Sequence, residues 1–284
     1  MDGLLIVDKP AGVTSHDVVD RVRRALGTRK VGHGGTLDPD ATGVLVLGVG
    51  KATRFLSYAQ ASPKRYVAKV RLGITTSTQD ASGEVIEERE VDVGADEIAA
   101  ALKRFVGPIQ QIPPMVSAVR VGGERLYEKA RRGEEVERKP RDVTIYDLRL
   151  LDVSFENKTV GLDITCSSGT YIRTLAHDLG AELGTGAHLV ELRREAAGGW
   201  VLADAVPLDD VSPETLRPLA DVGRDMTIVQ IDEEIARTVR NGRAIESDAT
   251  ATEGEDVAIM CGGEFLGVYR KVGDTLKPER VVSS

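Results

Sequence analysis

Apolar and polar positions follow three different rhythms along this chain. Leu4–Val7 is a short apolar run, a strand candidate that ends in a Lys-Pro-Ala-Gly turn. From Thr14 the rhythm becomes helical. Val18, Val19, Val22, Ala25 and Leu26 form one stripe, Thr14 can cap the first turn, Asp17 suits the helix dipole and Gly27 stops the helix. Val44–Val49 is continuously apolar and of strand length, and a short helical stretch through Phe55 and Tyr58 follows it. Arg65–Leu72 alternates with a period of two, so Tyr66, Ala68, Val70 and Leu72 share one face. Tyr66 thus enters with core residues, and a buried structural tyrosine is one reading of it.

Further along, 75–82 is a polar loop containing Asp80, Asp96–Val106 is an Ala-rich helix, and prolines extend Gln110–Met115. Arg120–Arg141 holds eight Lys/Arg against five Asp/Glu, with a helical piece around Tyr127–Arg132. Val143–Phe155 and Leu162–Ser167 read as strands. A helix then begins near Tyr171, with Ile172, Leu175, Ala176, Leu179 and Leu183 on its apolar stripe and Arg173 off it, exposed at a strand-to-helix junction. Val206–Met226 is rich in Pro and Asp with weak periodicity, which predicts a linker or joining helices. Thr227–Ile231, Val257–Met260 and Phe265–Tyr269 are short strands separated by Gly and acidic turns, a β module of about 55 residues near the low end of independent stability. The pattern adds up to an α+β fold: a mixed, mostly antiparallel sheet flanked by helices over residues 1–226, and a small β module over 227–284. Spacing does not determine strand order.

Composition narrows the class. With 284 residues, 41% hydrophobic and 29% charged, the chain has the makings of a soluble globular protein of one large and one small domain. The N-terminus lacks a basic leader and a cleavage site, and no apolar run approaches the roughly 20 residues of a membrane span. Cys166 and Cys261 are far apart and form no CxxC, so neither a zinc site nor a disulfide framework is indicated and a reducing cytoplasm fits. The net charge of −8 argues against a nucleic-acid partner until its distribution is counted. Residues 1–75 hold 12 Lys/Arg against 6 Asp/Glu, net +6, whereas the rest of the chain is acidic. Arg21, Arg23, Arg24, Arg29 and Lys30 form a candidate phosphate-facing group, with a solvated helix face as the alternative.

The basic share surrounds the stretch of densest chemistry, Val31–Gly43, VGHGGTLDPDATG. Three readings of Asp38 compete. A calcium loop of the EF-hand kind needs a bidentate Glu at its twelfth position, where Val49 stands, and this reading fails. An Asp-x-Asp-x-Thr phosphotransferase nucleophile should end an apolar strand, whereas Gly34-Gly35-Thr36-Leu37 precedes Asp38, and no downstream acidic pair for magnesium stands out, so this remains a minor alternative. The third reading is a lone carboxylate acting at a ribose or base without metal, kept ionised by an arginine partner, for which Arg173 is the candidate.

Five blocks in one order then bear on the choice: DKPAGVTSHDVV, GHGGTLDPDATGVL, KRYVAKVRLG with TSTQDASGE, PPMVSAVRVGGERLYEKARRG, and CSSGTYIRTLAHDLG with GAHLVELRR. Together they resemble the bacterial tRNA pseudouridine-55 synthase family, TruB, over roughly residues 3–200. The resemblance implies that Asp38 is the catalytic aspartate, that Tyr66 stacks on the target base and takes part in proton transfer at C5, and that Arg173 pairs with the aspartate. It further implies that Tyr171 and Leu192 line the uracil pocket, and that His33 enters the T-loop where the flipped base had been. It implies a pseudouridine synthase fold followed by a PUA-like RNA-binding module over 227–284. The expected partner is the T-arm of tRNA, acted on by a cytoplasmic monomer with no obligate protein partner, no metal and no cofactor. Gly34 and Met115 depart from the family's usual residues, which bears on loop rigidity rather than on chemistry. An RNA-binding or RNA-folding factor in which catalysis is secondary is the alternative from a different class.

Overall fold

The structure, a computed structural model, describes residues 1–61, 63–114, 120–121, 124–125, 138–246 and 250–282. Met115, the helical piece expected around Tyr127–Arg132 and most of the basic region Arg120–Arg141 lie outside the described residues. In chain order the first strands are β1 (Gly3–Lys9), β2 (Val31–His33), β3 (Thr42–Val49), β4 (Lys64–Leu72), β5 (Ile74–Thr76), β6 (Val85–Glu88) and β7 (Gly107–Gln111). A two-residue hairpin, β8 (Arg120–Val121) and β9 (Glu124–Arg125), precedes β10 (Arg141–Ser154), β11 (Thr159–Cys166), β12 (Ala187–Ala197), β13 (Trp200–Val201) and β14 (Val206–Pro207). Last come β15 (Thr227–Gln230), β16 (Ile245–Glu246), β17 (Asp256–Cys261), β18 (Glu264–Val272) and β19 (Thr275–Val281). The helices are α1 (Ser15–Ala25), α2 (Leu56–Ala61), α3 (Ala95–Lys103), α4 (Ile172–Glu182) and α5 (Glu233–Arg240). This is the expected α+β class, with antiparallel pairing predominating. Among the described residues no helix is long and apolar enough to cross a membrane.

Two compact units result, residues 1–62 with 196–284, and residues 63–195. In the first, β1 lies antiparallel to β3 from Gly3↔Val49 to Lys9↔Gly43, and β2 pairs with the far end of β3. Helix α1 forms where the sequence predicts it. The Thr14 hydroxyl accepts from the Asp17 amide and the Asp17 carboxylate accepts from the Thr14 amide, a reciprocal cap. Its Val18, Val19 and Val22, with Leu26 just beyond, are buried against Leu5, Val7, Leu45 and Leu47, worth about 2 kcal/mol for each side chain. Ala25, expected on this stripe, is instead exposed at the helix end.

Val206–Met226 is no linker. Leu208 and Val211 are buried in the α1 cluster, β14 pairs in parallel with β1, and Arg217 and Leu4 exchange backbone hydrogen bonds of 2.8 and 3.1 Å. Its short 3₁₀ turns carry no helical period, which is why periodicity missed them. The C-terminal sheet has the order β15-β17-β18-β19-β16, with α5 laid across it. The sequence pattern gives no sign of strand β19 or helix α5. Glu279 and Arg280 lie exposed on β19, and α5 is only eight residues long, so neither has a strong apolar signal.

In the second unit the sheet order is β12-β4-β11-β10-β7, and α3 and α4 lie against β10 and β4. The alternation predicted for β4 holds: Tyr66, Ala68, Val70 and Leu72 are all buried. Strand β12 leaves no clear period in the sequence, because residues 190–196 mix charged and apolar side chains whose burial does not follow their type: Arg194 is buried, Glu191 exposed and the rest half-buried. Replacing the cap, Thr14→Ala, is expected to cost about 1 kcal/mol. Urea unfolding would register this as a lower midpoint with an unchanged slope, and an unchanged midpoint would show that the cap carries no stability.

Candidate active site

The loop between β2 and β3 is fastened at three points, all within the first unit. Lys9, at the end of β1, is fully buried, and its ammonium donates to the carbonyls of Pro10 (2.9 Å), Val13 (2.6 Å) and Pro39 (2.8 Å). A buried ammonium is tolerable only with such bonds, so the strand end, the turn before α1 and the residue after Asp38 are bound together. The Ser15 hydroxyl, in the first turn of α1, accepts from the Leu37 amide (2.8 Å) and donates to the Leu37 carbonyl (3.0 Å). The Gly12 amide donates to the Pro39 carbonyl (3.0 Å) and the Gly34 amide to Val46 (2.7 Å). The side chains of Leu37 and Ala41 are buried on either side of Asp38.

Asp38 is therefore half-buried between fixed neighbours, while Asp40 is exposed. Gly35 holds φ +112°, a left-handed conformation that a side chain would strain. Gly34, the departure that put loop rigidity in question, is buried and bonded through its backbone. His33 ends β2, half-buried, in register with Leu47.

The second unit holds the other expected residues. Tyr66 is 6% exposed and sits opposite Ile164 on β11. Arg173 departs from expectation: it is 5% exposed rather than standing at an open junction. The first turn of α4 is buried all round, and Arg173 points inward because it has a partner there. Its guanidinium donates to the Asp80 carboxylate (3.1 Å) and to the Thr78 carbonyl (3.4 Å). Asp80 also accepts from the hydroxyls of Thr78 and Ser82 (2.6 Å each) and from the Ser82 amide (3.0 Å). Burial alone would raise its carboxyl, but the Ser82 and Thr78 bonds and the Arg173 charge outweigh burial and hold it below the usual carboxylate range. The Asp80 turn is tied to β12 by Ala81 to Leu189 (2.9 Å) and Leu189 to Gln79 (3.0 Å) backbone bonds.

Tyr171, the half-buried N-cap of α4, offers no side-chain cap. Gln111 brackets the Tyr171 backbone: its amide oxygen accepts from the Tyr171 N–H (2.9 Å) and its amide nitrogen donates to the Tyr171 carbonyl (3.2 Å). Leu192 is half-buried on β12. Nearby, burial and the Arg194 guanidinium pull the Lys64 ammonium down to about 8.

Sequence reasoning thus missed three residues that position others: Lys9, Asp80 and Gln111. A lysine closing an apolar strand and an aspartate flanked by Thr78 and Ser82 were usable signals, whereas Gln111 carried none.

A family described as "TruB family pseudouridylate synthase (N terminal domain)" matches residues 23–172, and "tRNA pseudouridylate synthase B C-terminal domain" matches 173–220. A tRNA pseudouridine synthase B of Thermobifida fusca is 50% identical over 254 residues, 86% of each chain. One of Streptococcus pneumoniae serotype 4 is 44% identical over 295 aligned positions that cover both chains completely. Among solved structures, a Cbf5–Nop10–Gar1 complex matches with a TM-score of 0.78 at 28% identity, covering 99% of this chain and 84% of the other. This likeness identifies the fold as the pseudouridine synthase fold with a C-terminal β half-barrel.

Two measurements check the positioning devices. Lys9→Met is expected to lower stability by about 3 kcal/mol, since it strips a charged donor from three carbonyls, and hydrogen exchange at residues 34–41 should quicken with it. Exchange no faster than in the wild type would remove Lys9 from the loop's support. Asp80→Asn is expected to cost roughly 2–3 kcal/mol at neutral pH. A carboxyl held low in the folded state contributes its full stability above the ordinary value near 3.9 and loses it as pH falls through the depressed value. The gap between wild type and variant should therefore be constant above about pH 5 and narrow below about pH 4. A gap of the same size at pH 7 and pH 3 would contradict the ion pair.

Proposed function

The chain belongs to the TruB family of pseudouridylate synthases, and from that premise we propose that it isomerises uridine to pseudouridine at position 55 in the T-loop of tRNA, with Asp38 as the catalytic group. The reaction breaks the N1–C1′ bond, turns the uracil and joins C5 to C1′, an isomerisation balanced in atoms and electrons. It calls for an aimed carboxylate, a stacking surface and a proton acceptor, and for no redox cofactor. The observation that carries the assignment is the fastening of the Asp38 loop through Lys9 and Ser15, which holds one carboxylate still while leaving it half-open.

The roles follow from residue chemistry and the family resemblance. Tyr66 offers its ring to the flipped base and takes part in proton movement at C5, and Tyr171 and Leu192 border the uracil. Arg173 brings the guanidinium that the chemistry requires, positioned by Asp80. His33 fills the space the base vacates. Extruding a base from a folded loop costs a few kcal/mol, and stacking worth about 1–3 kcal/mol offsets much of it. We further assign residues 1–226 to catalysis and 227–284 to a PUA-like module that touches RNA, in a cytoplasmic monomer acting on the T-arm. The C-terminal sheet has an apolar cluster of its own, with Val257, Ile259 and Tyr269, which supports that division, while its Ala258, Phe265 and Val268 pack with Phe55 in the same compact unit.

Unmodified tRNA incubated with the protein and mapped for pseudouridine tests the reading. The wild type should modify position 55 in the presence of chelator, and Asp38→Asn should abolish turnover while tRNA binding persists. Product elsewhere, or none, would overturn the target. Undiminished turnover by Asp38→Asn would overturn the catalytic assignment, and magnesium-dependent phosphate release would favour a phosphotransferase.

A further inference from the structure

A pocket of about 250 Å3 opens within the first unit, and none of its lining residues belongs to the Asp38 loop. Its lining divides by chemistry. Leu4, Phe55, Leu56 and Trp200 are buried, with Tyr58, Val222 and Met226 half-buried beside them. The Phe55 ring is fixed edge-on against Phe265, their centroids 5.0 Å apart. The other lining residues, Asp221, Asp225, Asp256 and Arg224, are charged and half-buried or exposed, so charge is gathered toward solvent and apolar surface inside. These charges are unequally satisfied. Asp256 accepts two bonds from the Arg270 guanidinium (2.8 and 3.1 Å). Arg224 lies over the Trp200 ring, 4.4 Å from its centroid, and pairs with Asp204 (3.5 Å), which is not part of the lining. Asp221 has the Arg217 guanidinium only at 3.9 Å. Asp225 forms no ion pair among the described residues and accepts instead from the Gly199 amide (2.7 Å). A Cβ at Gly199 would collide with this carboxylate, so bare backbone makes its seat. Held by a neutral donor, Asp225 keeps its negative charge for a cation arriving from solvent.

We propose that this pocket binds a small amphipathic cation: a primary amine on an apolar body the size of one aromatic ring, its ammonium at Asp225 and Asp221 and its body against Phe55, Leu56 and Met226. The site is independent of the tRNA reading and adds a second kind of ligand to the chain. An apolar cavity of about 150 Å3 takes benzene, so this volume admits a ring with a short arm. A metal ion fits less well, because among the described residues no three His, Cys, Asp or Glu side chains stand close enough together to hold one. An anion would meet three carboxylates against a single guanidinium that is already engaged. An uncharged ring would leave Asp225 unmatched.

Trp200 is the chain's one tryptophan and lines the pocket, so its emission reports occupancy. Titrating the RNA-free full chain with 2-phenylethylamine at neutral pH should change that emission saturably, with a Kd of about 1 mM or tighter, and calorimetry should return the same constant. 2-Phenylethanol, the same body without the charge, and methylamine, the charge without the body, should each bind at least about tenfold more weakly. Asp221→Asn/Asp225→Asn should weaken the amine about tenfold, the amide oxygen introduced at 225 still accepting from Gly199. Asp274→Asn, at an exposed carboxylate in the turn between β18 and β19, should leave the constant as it is. No saturable signal by either method, or a wild-type constant in the double variant, overturns the proposal. So does an equal loss from Asp274→Asn, which would reduce the effect to overall charge. 2-Phenylethanol or methylamine binding as tightly as the amine would overturn the ligand class.

Discussion

The ammonium of Lys9 is the constraint on which the loop around Asp38 depends. Burying a charge is costly unless its hydrogen bonds are all met, and here they are met by carbonyls from three places: the residue next to Lys9, the turn before α1, and Pro39 beside Asp38. Each of these bonds ties a different segment to the same buried charge, so the three segments are held as a set. Ser15 adds a second clasp from α1 to Leu37, the residue on the other side of Asp38. The capping of α1 by Thr14 and Asp17 thereby reaches the Asp38 loop, because the same first turn of the helix carries Ser15.

The second unit solves a similar problem with a buried ion pair. Arg173 belongs to a helix whose N-terminus has no side-chain cap, and two other parts of the chain hold this end: Gln111 bonds the Tyr171 backbone and Asp80 the Arg173 guanidinium. Asp80 is itself ionised against the tendency of burial, because hydroxyls, an amide and a guanidinium converge on it. In both units a charged side chain is fixed by bonds to loops rather than by regular structure. This suits an enzyme that must offer reactive groups in set positions to a large, mobile substrate.

The acidic overall charge and the RNA substrate are reconciled by segregation. The first 75 residues are basic and supply Arg29, Lys30 and Arg54 to a groove free of carboxylates, to which β19 adds Arg280. Acidic surface elsewhere disfavours indiscriminate adhesion to nucleic acid.

The sequence by itself determined those elements whose signal is local. Helix α1 was legible because its cap and its apolar stripe lie close together, between Thr14 and Leu26, and β4 because alternation survives burial of one face. Asp38 stood out from its glycine-rich setting, and the family from five ordered blocks. Tertiary structure decided the rest. Whether Val206–Met226 was linker or core depended on β1 and α1, some two hundred residues away. Arg173 is buried rather than exposed because Asp80 lies 93 positions earlier in the chain, a separation no window reads. Strand order and the tie between Lys9 and Pro39 belong to the same kind. Periodicity records which face of an element is apolar, whereas buried charges are placed by partners that only folding brings within hydrogen-bond reach.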